Sequence, residues 1–137
     1  MADVREFVKS IEVDSTIDNL TKVEAFVDDV CLEMDVRDES YGNVLIAVTE
    51  AFNNAVQHGN QGKSTCKVVV KAYEDTGFIK LSVKDEGDGF DYDNLPDPTA
   101  PENLEKENGR GVFLMKSLAD EVEFEEKGAL VILSFKL

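Results

Sequence analysis

Two pairs of apolar runs, each joined by a turn of a few residues, constrain this fold more than any other feature of the chain. Lys67–Tyr73 carries Val68, Val69 and Val70, a β-branched run suited to a strand, and Phe78–Val83 follows the turn Asp75-Thr76-Gly77. Val122–Glu125 and Ala129–Phe135 repeat the arrangement about Lys127-Gly128. Turns this short return a strand antiparallel to its partner. A first strand is expected over Val4–Val13, with partial alternation of Phe7, Ile11 and Val13. Ser15 opens a helix, and Asp18 stands where the acid of a capping box would. Ile17, Leu20, Val23, Val27, Val30 and Met34 then follow at steps of three and four, so this helix is amphipathic. A second helix runs from about Asp38 to His58 and stops at Gly59, a usual C-cap residue. A third spans Gly109–Leu118, with Val112, Phe113, Met115 and Leu118 inward. Helices in this order are not regular crossovers between parallel strands. The expected fold class is α/β in the α+β sense: a two-layer sandwich with helices on one face of a mostly antiparallel or mixed sheet. A doubly wound sheet is excluded.

At 137 residues the chain suggests one domain, residues 1–137, with a sizeable core. Its formal net charge is −15, from 29 acidic against 14 basic residues, so direct nucleic-acid binding is not expected. The same field repels a nucleotide, which would need a cation and focused backbone donors to bind. A partner with a basic face would be steered towards this surface, although acidity also serves solubility. Cys31 and Cys66 match no ligand or redox spacing and sit in apolar patterns, so both are expected as buried free thiols. No apolar run approaches the roughly 18 residues of a membrane span, and the N-terminus lacks a basic-then-apolar signal. A reducing cytoplasm and no membrane partner are the expectation.

Three short motifs carry chemistry. In Ala47–Gly59, AVTEAFNNAVQHG, Glu50, Asn54 and His58 recur every four residues and form one polar stripe on a helix. Val48, Ala51, Phe52, Ala55 and Val56 dock its other face. Asn54 can offer a carbonyl oxygen to Mg²⁺, and Glu50 can take a proton from a hydroxyl. The plainer reading is a solvated helix face with an i,i+4 hydrogen bond. Asp85-x-Gly87-x-Gly89 places a carboxylate at a strand end beside two glycines that let a ligand approach the backbone. The carboxylate can accept from an exocyclic amine such as that of adenine, or the stretch is an acidic turn. It is not an EF-hand, because Gly87 and Gly89 stand where oxygen ligands belong. Gly109-Arg110-Gly111-Val112 opens a helix, where free N–H groups and the helix dipole favour a phosphate and Arg110 can add a charge-assisted contact. An ordinary glycine-flanked helix start would look the same. Between the last two motifs, Asp91–Asn108 holds Pro96, Pro98 and Pro101 with little apolar content. So long an irregular segment is a functional lid or is disordered.

In this order, Glu50-Ala51-x-x-Asn54-Ala55-x-x-His58-Gly59, Asp85-x-Gly87-x-Gly89-Phe90 and Gly109-Arg110-Gly111-x-x-Leu114-Met115 resemble the N, G1 and G2 boxes of the GHKL ATP-binding superfamily. The small size is similar to its branch of anti-sigma factor serine/threonine kinases. The resemblance implies a Bergerat-type fold that binds Mg-ATP. Its relatives phosphorylate a serine on an anti-sigma factor antagonist protein, sequester a sigma factor, and usually form homodimers. It assigns the Mg²⁺ ligand to Asn54 and the proposed general base to Glu50. Asp85 becomes the adenine-binding aspartate, with Gly87 and Gly89 in the turn beside the base. Gly109, Arg110, Gly111 and Val112 become the phosphate-cradling segment. His58 stands where this branch often has histidine, and capping or packing would explain it equally well. Asn53 competes with Asn54 for the metal role, and the four-residue stripe favours Asn54. No helix with a phosphorylatable histidine precedes these boxes, so a complete sensor histidine kinase is not expected. Two further readings stay open: a non-catalytic partner-switching module whose nucleotide-ordered lid regulates protein binding, and a plain ATPase fragment.

Overall fold

The computed structural model describes residues 6–87 and 110–137. The expected lid, residues 91–108, lies outside these, as do Gly89 and Gly109. Five strands form one sheet in the order β1-β2-β3-β5-β4. They are β1 (Glu6–Asp14), β2 (Lys67–Asp75), β3 (Phe78–Lys84), β4 (Glu121–Glu125) and β5 (Leu130–Lys136), and every neighbouring pair is antiparallel. Among the described residues the sheet has no parallel pair, so the mixed option falls away. The three α-helices are α1 (Leu20–Glu33), α2 (Asp38–Asn54) and α3 (Arg110–Leu118), and α2 lies between the other two. The architecture is the expected α+β sandwich.

Register follows from alternation. Val68, Val70 and Ala72 of β2 are fully buried, and Ile79, Leu81, Val83, Val131, Leu133 and Phe135 are buried on the same face. This face receives Val23, Val27 and Val30 of α1, Val44, Val48 and Phe52 of α2, and Met115 of α3. A one-residue slip would turn all of these strand residues away from the helices. The sheet edges differ. β4 turns Glu121, Glu123 and Glu125 outward, which blunts that edge, whereas β1 leaves Phe7 59% exposed against the ring edge of Tyr73. The β2–β3 turn has positive φ at Thr76 (41°) and Gly77 (84°), the pairing a two-residue hairpin with right-handed twist demands.

Two expectations about helix ends change. Ser15 does not cap the first helix. Thr16 does, its Oγ1 accepting from the Asp18 N–H at 3.4 Å over a 3₁₀ turn, Ile17–Asn19, that leads into α1. Ser15 is buried, with its N–H donating to Cys66 O. At the other end of the helical layer, α2 stops at Asn54 and continues as a π-helical turn, Ala55–Gly59. The Asn60 N–H donates to Ala55 O at 2.7 Å, five residues back, which widens the last turn. Gly59 is therefore not a left-handed C-cap. Cys31 is buried and Cys66 half-buried, both free.

Candidate functional site

The stripe read from the sequence lies over a cavity of about 250 Å³, lined by Glu50, Asn53, Asn54, Gln57 and His58 from α2 and its π turn, and by Gly111 and Leu114 of α3. Ala51, Phe52, Ala55 and Val56 are buried on the opposite face, which locks the rotation of the helix and so the direction of the stripe. The π turn keeps His58 on the cavity rim, where it is exposed. Widened turns of this kind recur at functional sites. A Cβ added to Gly111 would sit 3.4 Å from Glu50 Oε2, so the Glu50 carboxylate faces the first turn of α3. Val112 is buried and anchors that turn against the core.

Asp85 follows the last residue of β3 and is 8% exposed. Its N–H donates to Ala129 O at 2.9 Å, and its Oδ1 accepts from the Gly87 N–H at 2.7 Å. Burial pushes its carboxyl above the ordinary aspartate value, the Gly87 N–H pulls it back, and Glu126 adds a further upward push. A Cβ on Gly59 would lie 2.2 Å from Asp85 Oδ2, and one on Gly87 would lie 2.1 Å from Gly59 O. Two glycines thus let the end of α2's π turn and the end of β3 touch through backbone and carboxylate alone. The structure brings Glu50, Asn54, His58 and Gly111 together at one cavity, and brings Asp85 and Gly87 to the neighbouring Gly59.

The residues at the cavity suit a hard cation. Glu50, Asn53, Asn54 and Gln57 offer oxygen, and Asn53 Oδ1 is a buried acceptor with no partner among the described residues. Among the described residues no group of three His, Cys, Asp or Glu converges. An Mg²⁺ ion here would draw most of its six oxygens from water and phosphate, as that ion usually does.

Sequence reading missed Asn60. It was one residue of a polar loop, yet it is 2% exposed and all its side-chain hydrogen-bonding groups are used. No local pattern marks it, because its partners are 45, 7 and 26 residues away. Asn53 entered the sequence reading only as the competitor of Asn54, and Gln57 was not singled out.

Comparison with known proteins agrees with this geometry. A histidine kinase-like ATPase domain model matches residues 13–135. Serine-protein kinase RsbW from Staphylococcus aureus strain MRSA252 is 36% identical over an alignment of 96 residues, with 63% of this chain and 59% of that protein covered. The same protein from strain JH9 gives the same figures. The chain thus spans less than two thirds of the relatives it matches. A solved structure of the RsbU and RsbW domains of Rv1364c from Mycobacterium tuberculosis superimposes with a TM-score of 0.66 at 20% identity, covering 95% of this chain and 33% of that one. That likeness establishes the fold. With the family model spanning all three helices and, but for one residue, β2 to β5, the chain belongs to the histidine kinase-like ATPase domain family.

Proposed function

We propose that this chain is an Mg-ATP-dependent protein serine/threonine kinase that acts as an anti-sigma factor and phosphorylates a serine of an anti-sigma factor antagonist. The observation that carries the reading is one cavity lined jointly by Glu50 and Asn54 of α2 and Gly111 of α3. A binding module would need the metal ligand and the phosphate cradle but not a carboxylate aimed between them. The relatives named serine-protein kinase RsbW support serine as the acceptor.

In this reading Asp85, with Gly87 and Gly89, takes the adenine, and its carboxylate accepts from the exocyclic amine. Gly109, Arg110, Gly111 and Val112 hold the phosphates at the start of α3, where N–H groups and the helix dipole favour an anion. Asn54 offers its Oδ1 to Mg²⁺. The ion, when bound, neutralises phosphate charge. Glu50 orients the partner's serine hydroxyl and accepts its proton while the serine oxygen bonds to the terminal phosphorus and the bond to the ADP oxygen breaks. Positioning supplies most of the rate. The same reading includes a homodimer in the cytoplasm and a sigma factor as second partner, for which a basic face would complement the charge of −15. Among the described residues no helix is long and apolar enough to cross a membrane.

Transfer of labelled γ-phosphate from ATP to antagonist proteins tests this directly. Glu50→Gln keeps the shape and removes the basic oxygen. We expect Mg-ATP affinity close to wild type and phosphate transfer slower by about 10²–10⁴-fold, with the partner still bound. Full transfer by Glu50→Gln would make Glu50 structural. Tight nucleotide binding without transfer to any antagonist by the wild-type protein would favour the partner-switching module instead.

A further inference from the structure

Asn60 links three parts of the fold at one buried point. Its Nδ2 donates to Ser15 Oγ at 3.0 Å and to Lys67 O at 3.1 Å, and its Oδ1 accepts from the Glu86 N–H at 2.8 Å. Its own N–H closes the π turn on Ala55 O, and its O accepts from the Lys63 N–H at 3.0 Å. Ser15 ends the β1 connection, Lys67 begins β2, and Glu86 follows Asp85 at the end of β3. The neighbouring Glu86 carboxylate in turn accepts from the Lys67 N–H, which closes a ring through the start of β2.

We propose that Asn60 is a positioning residue that sets where Asp85 meets the base of a bound nucleotide, and so sets the preference for adenine over guanine. This rests on the nucleotide reading above. The Asp85 N–H on Ala129 O holds it on the sheet side, but towards the helix Asp85 has few means of holding its place. Its carboxylate is spent on one N–H within its own turn, and the two glycines that face it offer no side chain to stop a slide. The bond from Glu86 N–H to Asn60 Oδ1 is the fixed tie between the 85–87 segment and the helix that carries Glu50 and Asn54. Adenine presents an amine donor where guanine presents an oxygen acceptor. A carboxylate held in register accepts from the first and repels the second, and one free to shift by an ångström loses the distinction. The phosphate end, on α2 and α3, does not pass through Asn60.

The test compares three variants by their ATP-to-GTP affinity ratio and melting temperature. Asn60→Ala removes the tie and should lower the ratio at least tenfold through ATP, with GTP affinity within about twofold of wild type. Asn60→Asp keeps an oxygen for the Glu86 N–H and gives up the donors. Ser15→Ala removes only the far arm. Both should melt earlier yet keep the ratio within about twofold. Hydrogen exchange on the wild-type protein adds a readout that does not depend on nucleotide: the Glu86 amide should exchange as slowly as the amides of β3. A ratio that tracks melting temperature across the three variants would overturn the proposal, because Asn60 would then be structural only. So would an unprotected Glu86 amide, or an unchanged ratio in Asn60→Ala. A wild-type protein with no preference for ATP would overturn the nucleotide reading itself.

Discussion

Asn53 and Asn54 are adjacent, both line the cavity, and the fold treats them differently. Asn54 shares the stripe of Glu50, one helical turn away, whereas Asn53 buries an acceptor that none of the described residues satisfies. Asn54→Ala should abolish Mg-dependent ATP binding in titration calorimetry. Asn53→Ala should leave it, and by removing an orphaned acceptor should not destabilise the fold. Equal binding by the two variants would remove Asn54 from the metal. Asp85 shows the opposite balance between stability and use. Its carboxyl is raised by burial. The folded protein therefore holds that proton more tightly than the unfolded chain does. The stability this gives is complete below the unfolded value near 3.8 and is lost as pH rises through the higher folded value. At neutral pH the ionised Asp85 is a cost, which the amine of adenine would offset in the proposed reading. Asp85→Asn should melt no earlier than wild type at pH 7. It should nevertheless bind ATP roughly tenfold or more weakly, since a mismatched buried polar contact costs about 1–3 kcal/mol. An equal loss for GTP, or none for ATP, would take Asp85 away from the base.

At the level of elements, the β2–β3 hairpin carries a visible compromise. Thr76 is a β-branched residue at φ 41°, where such side chains crowd the backbone, and the turn type prefers Asn-Gly. Thr76→Asn should stabilise the protein by about 0.5–1 kcal/mol, a rise of roughly 2–5 °C on thermal melting. A fall would mean that the Thr76 hydroxyl bond to Asp75, 3.2 Å long, outweighs the backbone term. The hairpins themselves were legible because alternation and short turns are local signals, and so was the stripe Glu50, Asn54, His58, a matter of helical spacing. What was not legible depends on distant partners. Ser15 has the chemistry of a cap, but Asn60, 45 residues on, engages its hydroxyl and Thr16 takes the cap. Nothing in Ala55-Val56-Gln57-His58 announces a π turn, because all four fit an ordinary α-helix as well. Gly59 looked like a helix stop, and the helical run does end there; its second role, a clearance for Asp85, is held in the packing of two segments far apart in the chain.

For the whole molecule, the sheet order has a kinetic meaning. β3 lies at the centre of the sheet, flanked by β2 and β5, and its inward residues Ile79, Leu81 and Val83 are buried in the core. Asp85 is the next residue but one after Val83, so it extends the strand expected to open last. α3 is a nine-residue helix held mainly by packing on α2, with its exposed Phe113 turned away from that contact. In native-state hydrogen exchange the amides of β3 should be the slowest to exchange, and those of α3 should exchange sooner, through a smaller opening. Equal rates would mean the two move as one unit. If the proposed nucleotide reading holds, the base end of the site would be a fulcrum and the phosphate end a latch. Residence time would then be set by how often the latch lifts, not by how stable the whole fold is, and spent nucleotide would leave while the sheet stays shut.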